Sequence, residues 1–355
     1  MDFQLTEDQR ALRDGVRALL AGRFGPEALR AAVARGGRGL DRALWRELGE
    51  AGFFSLRLPE ADGGVGLGLP EAVLAFEEAG RVLLPGPLVA THLAAGEVPG
   101  AATGETVVTA VYGGLVEWLD ESDAVRDGAG GPAADGAAGA VPLTSVDPLT
   151  PLHRVSGDFP AGPTGRAGPA CPAGQTGPAG PVVPTGRAGP TDMTVPTALT
   201  VPTGPTAPTG PPRPPDPLAT LLTAAEQLGN AARTCETAVQ HARTREQFGQ
   251  PIGAFQAVKH LCAQMLVRVE LARAAVYAAA VTADPMDIAA ARLLADDAAV
   301  RGARDCLQVH GGMGFTWESD VHLYLKRAWV RTRRAGPATE SEELLADDLL
   351  AGAGR

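Results

Sequence analysis

Cysteine is scarce in this 355-residue chain, and its four copies are scattered rather than paired. No C-x-x-C pair occurs among Cys171, Cys235, Cys262 and Cys306, so the sequence indicates neither a zinc site nor a disulfide framework. Aromatic residues make up only 5% of the chain, against 45% for all hydrophobic residues. This balance favours packing between Ala-, Leu- and Val-rich helices, in a chain long enough for more than one domain.

Positive charge is also in deficit, with a formal net charge of -10. Nucleic-acid and anionic-membrane surfaces require a basic patch. The sequence has no apolar run of about 18 residues, the length that a membrane-spanning helix needs. Its acidic start, MDFQLTEDQRALRDG, lacks the regions of a signal peptide. We therefore expect a cytoplasmic protein without nucleic-acid or membrane partners.

Several motifs of nucleotide binding and catalysis are missing too. There is neither a G-x-x-x-x-G-K-[ST] phosphate loop nor a G-x-S-x-G nucleophile elbow. GGVGLG at 63–68 fails the dinucleotide pattern, because Leu69 stands where its last glycine is required. A di-iron site needs two E-x-x-H motifs. The nearest feature is Glu318 with His322, which we interpret as a solvated pair on one helix face, so no metal site is expected.

Amphipathic helices dominate residues 1–103, which we predict to form a small helical domain. The first helix is expected after Thr6 as N-cap, with Leu5, Leu12, Val16 and Leu19 on one stripe. Three further helices are expected from Pro26, from Asp41 to Gly52, and over PEAVLAFEEAGRVL.

The chain changes character twice after this region. Residues 104–155 form a reduced β segment in which only TVVTAVYGG and HRV predict strands. Residues 156–216 are rich in Pro and Gly, with glycine at every third position from Gly162 to Gly189 except at Cys171 and Val183. These breaks argue against a collagen helix. We predict a disordered or polyproline-like linker, because the segment has too little apolar surface to offset the entropy lost on ordering.

Helical periodicity returns in residues 217–355, which we predict to form a helical bundle. Long helices are expected over 218–244, 255–281 and 287–310, and a fourth over 318–334. The first two are separated by REQFGQPIGAFQAVKH at 245–260, and the third ends in QVHGGMG at 308–314. A charged, aromatic and glycine-punctuated joint of this kind suggests a ligand or a partner.

These two motifs resemble the C-terminal domain of the acyl-CoA dehydrogenase family, FAD enzymes that introduce an α,β double bond into acyl-CoA thioesters. The likeness extends to MDFQLTEDQRALRDGVRALL, LWRELGEAGFFSLRLPEADGGVGLG and AFEEAGRVLLPGPLVAT. The resemblance implies a mainly α fold, with an N-terminal helical domain, a reduced or degenerate middle β domain and a C-terminal four-helix bundle. It also implies FAD, an acyl-CoA substrate and a homo- or hetero-oligomer, a tetramer in the family.

The resemblance assigns cofactor contacts residue by residue. By match, Arg245 crosses a dimer interface to the flavin pyrophosphate of the neighbouring subunit, where a guanidinium suits phosphate oxygens. Phe248 presents an apolar face at the same joint, and Gln256 an amide. The adenine side of the cofactor is assigned by match to Gln308 and to the backbone of Gly311 and Gly312.

Single residues of these motifs have simpler interpretations. An arginine at a helix junction is commonly a capping or surface residue, and Gly-Gly after a helix is commonly a C-cap. Their occurrence together, in the family's order, favours the cofactor site. We expect His310 and His322 to be structural, and Trp317 to pack against the bundle.

The family's catalytic carboxylate is not found. The reaction needs a base for the substrate α-proton, which the family carries at one of two positions, matched here by Ala335 and, near the start of the first bundle helix, Ala219. The nearest glutamate candidates are Glu226 and Glu340. The middle segment also lacks the family's Thr-x-Pro-x-x-Gly-Ser-type stretch and Trp-containing strand, so the walls of the flavin and acyl sites have diverged.

We therefore expect a base-lacking partner subunit of a heteromeric acyl-CoA dehydrogenase, as in some actinobacterial relatives. Two alternatives remain open. One is a self-sufficient homotetramer that uses an unrecognised glutamate, and the other is a scaffold that binds no flavin.

Overall fold

The computed structural model describes residues 4–36, 39–128, 137, 139–155, 216–334 and 338–353. The predicted linker, except Asp216, and the matched base position Ala335 lie outside the described residues. Cys171 does as well, and the other three cysteines are free thiols.

The N-terminal region is helical, as the sequence predicts. The hydroxyl of Thr6 accepts the N–H of Gln9 at 3.1 Å, and the Gln9 side chain accepts the N–H of Thr6 in return, which closes a capping box. Leu20 is the fully buried side chain of this helix. Leu12, Val16 and Leu19 of the predicted stripe are partly buried and pack against the core. The helices are α1 Glu7–Arg23, α2 Pro26–Ala34, α3 Arg42–Glu50, α4 Leu69–Arg81 and α5 Leu88–Ala94.

The middle segment contains more strand than the sequence predicts. It forms one five-stranded sheet of order β3-β1-β2-β5-β4, in which β1 and β3 are parallel and the other pairs antiparallel. The strands are β1 Val108–Tyr112, β2 Leu115–Glu117, β3 Ala124–Asp127, β4 Val141–Leu143 and β5 Leu152–Arg154. Only β1 and β5 were predicted. The others have three or four residues, too few for an alternating pattern to be recognised.

The C-terminal region is the predicted bundle with one added helix. Its helices are α6 Pro217–Thr244, α7 Gln256–Thr282, α8 Pro285–His310, α9 Val321–Arg334 and α10 Ala338–Ala353. The central helix, α6, packs against α7, α8 and α9 of the bundle and against α4 of the N-terminal region. The main hydrophobic core is therefore shared by the two helical regions.

One local prediction was wrong. Glu318 and His322 do not share a helix face, because α9 begins only at Val321. His322 is buried and meets the ring of Trp317 edge-on at 4.7 Å between centroids. Trp317 lies against α9 of the bundle, with the Lys326 ammonium 4.2 Å from its ring centroid, although the residue is 70% exposed. Across the described ranges, no helix combines the length and apolarity that crossing a membrane would require.

Candidate functional site

The joint between α6 and α7 is a tight hairpin that displays an aromatic ring. Its strands, β6 Glu246–Gln247 and β7 Gln250–Pro251, flank the turn residues Phe248 and Gly249, whose φ angles are 55° and 77°. Two positive φ angles in a two-residue loop suit the twist of a hairpin, although an aromatic residue rarely adopts one. Phe248 is 92% exposed, and its ring meets that of Phe255 edge-on, with centroids 6.0 Å apart.

Arg245 and Gln256 stand at the two ends of this joint. Arg245 caps α6 through its backbone N–H, which donates to the carbonyl of His241 at 2.9 Å. Its exposed guanidinium has no ion-pair partner among the described residues. Gln256 begins α7, and its amide nitrogen lies 2.7 Å from Nε2 of His260. The joint therefore offers a free cation beside an exposed ring.

A pair of histidines brings the two motifs together. His241, one turn before Arg245, stacks on His310 with ring centroids 4.0 Å apart. Nδ1 of His310 lies 2.8 Å from the carbonyl oxygen of Cys306, a geometry suited to donation by a protonated Nδ1. Burial lowers the pKa of His241, and the charges of His310 and Arg245 lower it further. The stack joins the last turns of α6 and α8, and His241 was not among the residues predicted from the sequence.

The second motif presents open backbone beside this stack. Gln308 is exposed in the last turn of α8, which ends at His310. Gly311 has a φ of 62°, and apart from the adjoining backbone no described residue places a heavy atom within 4 Å of the position that a Cβ would take on Gly311 or Gly312. Nearby, polar side chains of α6 between Arg233 and Thr244 line a groove of about 480 Å³, which His310 bounds. Arg245, Gln308, Gly311 and Gly312, with the residues of this groove, form an exposed polar surface, which we call the two-motif surface.

A buried charge cluster links the sheet to helices α6 and α9. It comprises Glu117 of β2, Glu226 of α6, and Arg331 and Arg334 of α9, and we call it the ionic quartet. Arg331 lies 2.8 Å from Glu117 and 3.1 Å from Glu226, and Arg334 lies 2.8 Å from Glu226 and also bonds Glu117. The cluster contains two carboxylates and two guanidinium groups, so its charges balance. Each carboxylate contacts both arginines.

The two acidic candidates lie in different surroundings. Burial raises the pKa of Glu226, while Arg334 and Arg327 oppose that rise. Ala219, its neighbour two turns earlier on α6, is buried as well. Glu340 lies half-buried on α10, and burial raises its pKa against the opposing charge of Arg292. The described residues contain no group of three or more side chains able to hold a metal ion.

The order of the elements, an N-terminal helical region, a small sheet and a helical bundle, agrees with the comparisons with known proteins. A family model described as the acyl-CoA dehydrogenase N-terminal domain matches residues 6–105, and the model of the C-terminal domain matches residues 219–349. The chain belongs to the acyl-CoA dehydrogenase family, a family of flavoprotein oxidoreductases. The resemblance and the mainly α fold expected from the sequence are both confirmed.

Among similar proteins, acyl-CoA dehydrogenase IpdE2 of Mycobacterium tuberculosis is 35% identical over 342 residues, which cover 91% of each chain. Acyl-CoA dehydrogenase FadE34 of the same species is 36% identical, but the match spans only 45% of that protein. Of solved structures, the ChsE4-ChsE5 complex from Mycobacterium tuberculosis matches with a TM-score of 0.71 and 25% identity over 99% of both chains. Glutaryl-coenzyme A dehydrogenase shares the fold, with a TM-score of 0.71 and 20% identity over 99% and 97% of the two chains.

Proposed function

We propose that this chain works with FAD in the α,β-dehydrogenation of an acyl-CoA thioester, as a base-lacking subunit of a heteromeric acyl-CoA dehydrogenase. The observation that carries the proposal is that the carboxylate of Glu226 is already ion-paired. It is the glutamate nearest to the matched position Ala219, yet Arg331 and Arg334 hold its carboxylate at 3.1 and 2.8 Å. The carboxylate is buried and engaged by two guanidinium groups, so it is not free to reach a substrate α-proton.

The residues of the two-motif surface fit one end of FAD. Arg245 supplies an exposed guanidinium for a pyrophosphate. The Gly311 and Gly312 backbone has open space where a ligand can approach closely. All these groups face outward, as a cofactor shared across a subunit boundary would require. Arg245 and the backbone of Gly311 and Gly312 would hold FAD, which would supply the acceptor for the hydride that leaves the substrate β-carbon.

The chain's own part in the reaction is to bind and position rather than to move the proton. A positioned base contributes typically 10²- to 10⁴-fold to the rate. The partner subunit therefore has to provide the carboxylate. The resemblance to a complex of two named chains, ChsE4 and ChsE5, supports such a division of roles.

The first test is the visible absorption spectrum of the chain, purified alone and co-expressed with a relative that has an intact glutamate, alongside its size-exclusion mass. Flavin bands confined to the mixed complex are the expected result. A lone chain that is yellow and bleaches with an acyl-CoA would overturn the proposal and favour the self-sufficient enzyme. Glu226→Gln and Glu340→Gln would then identify its base.

The role of Arg245 has a matched control two residues away. Arg245→Gln should lower the flavin content of the mixed complex severalfold, because a charge-assisted contact to phosphate is lost. Arg243→Gln changes another exposed arginine in the last turn of α6 and should leave flavin content unchanged. Equal flavin content, assembly and activity in Arg245→Ala and the parent would favour a scaffold instead.

A further inference from the structure

A cavity of about 240 Å³ lies between α2, α3 and the segment that joins α4 to α5. It is remote from the motifs of the two-motif surface and shares no lining residue with the polar groove. Its walls are mainly apolar side chains of the core, among them Phe24, Leu44, Leu48, Leu84 and Leu149. At about 30 Å³ per water-sized unit, the space suits a molecule of roughly eight non-hydrogen atoms.

Two tryptophans in this wall have unused hydrogen-bond donors. Trp45 is 1% exposed and Trp118 is 3% exposed, and both line the cavity. The indole Nε1 of each is buried and has no hydrogen-bond partner among the described residues. Buried indole N–H groups usually find an acceptor, and an unpaired one keeps the cost of its lost hydration. Two such donors beside one apolar cavity indicate a missing acceptor.

The backbone at Trp118 supports a site of this kind. Trp118 has a φ of 57°, in the left-handed region, although it is neither glycine nor a small polar residue. A bulky residue rarely adopts this conformation, because it is strained, and such strain tends to occur at ligand sites. The chain thus holds the indole in the cavity wall at an energetic cost.

The charges at the cavity indicate a neutral ligand. Arg23 is paired with Glu47 at 2.9 Å, and the Asp41 carboxylate caps α3 by accepting the N–H groups of Ala43 and Leu44. Arg35 is exposed to solvent. A charged group placed among the leucines would lose its hydration without a buried counter-ion. A neutral acceptor oxygen needs only the two indole donors.

We propose that this cavity binds a compact, uncharged cyclic ketone or similar carbonyl compound. The carbonyl oxygen accepts hydrogen bonds from Trp45 and Trp118, small ring shifts bringing the donors to it, and the hydrocarbon ring packs against the leucines. This cavity is separate from the two-motif surface, where we propose that FAD binds.

The test uses cyclooctanone as the probe and the full-length chain. Because the chain has four tryptophans, a Trp317→Phe/Trp329→Phe background restricts the fluorescence signal to Trp45 and Trp118. We expect saturable quenching by cyclooctanone. Cyclooctylammonium, a cation of similar shape without an acceptor, should not compete. Trp118→Phe should weaken ketone binding about 3- to 10-fold, because it removes one net hydrogen bond.

A second pair of variants separates this site from general hydrophobic binding. Ala28→Leu, or Ala31→Leu if the first variant folds poorly, places extra volume in the lining and should abolish saturable quenching. Absence of saturation up to the solubility of cyclooctanone would overturn the proposal. So would unchanged affinity in both Trp118→Phe and the folded leucine variant.

Discussion

Arg331 and Arg334 each contact both Glu117 and Glu226, so the ionic quartet loses its balance when either arginine is removed. Arg331→Met should lower the free energy of unfolding by about 3–5 kcal/mol, because it leaves a buried carboxylate without enough positive charge. Urea unfolding of the purified chain measures the effect.

The control for this prediction is Arg301→Met. It removes an ion pair with Asp297 whose arginine side chain is 66% exposed, so the loss should stay below about 1 kcal/mol. Adding Glu226→Gln to Arg331→Met should recover part of the lost stability, since the unpaired charge then disappears. Equal losses in the two single variants would show that the quartet does not behave as a buried network.

Asp296 on α8 should make stability depend on pH. Burial raises its pKa from 3.8 to about 6, although a hydrogen bond from Gln227 and the charge of Arg292 oppose the rise. The folded state therefore holds this proton more tightly than the unfolded state does. The resulting stabilisation is complete below about pH 4 and is lost as the pH rises through 6.

Asp296→Asn should abolish this dependence. The variant should match the parent near pH 4 and exceed its unfolding free energy by about 1–3 kcal/mol at pH 7. Asp297→Asn, at the exposed neighbouring position, should show no comparable gain. Urea unfolding at the two pH values distinguishes the outcomes, and a parent that is more stable at pH 7 than Asp296→Asn would contradict the prediction.

At the scale of elements, α4 and α6 cross so closely that each needs a glycine. A Cβ on Gly80 would lie 2.0 Å from the carbonyl oxygen of Glu226, and one on Gly229 would lie 1.9 Å from that of Glu77. Gly229→Ala should force the helices apart and lower the unfolding free energy by about 1–3 kcal/mol. Gly15→Ala on α1, where no atom lies within 4 Å, should raise it by about 0.5–1 kcal/mol.

The bundle helices were predictable because their apolar residues repeat over many turns, whereas the sheet was only partly so. β2 has three residues and ends at Glu117, whose charge is unusual for a buried strand. That glutamate is tolerated because Arg331 and Arg334 reach it from α9, far along the sequence. The residues next to Glu117 in the sequence cannot predict a partner that is more than 200 residues away.

At the scale of the whole molecule, α7 exposes apolar side chains that an assembly would cover. Leu266, Val267 and Leu271 are between 53% and 57% exposed on one helix. Leu271→Asp should shift the size-exclusion mass toward the monomer, because a charge at an apolar contact is costly to bury. The control is Leu349→Asp on α10, which makes the same change at a residue that is 73% exposed and should leave the mass unchanged. An unchanged mass in the α7 variant would exclude this face from the assembly.

The sequence by itself determined most of the helices, though not α5 or α10, together with the acyl-CoA dehydrogenase family and the matched residues from Arg245 to Gly312, because these depend on local periodicity and on contiguous motifs. Only the tertiary structure decided which side chains are free to act. It stacks His241 on His310 and leaves Arg245 exposed, and it binds Glu226 into the ionic quartet. Burial and ion pairing depend on residues distant in the chain, so a glutamate that is a candidate base in the sequence becomes a buried ion-pair partner in the fold.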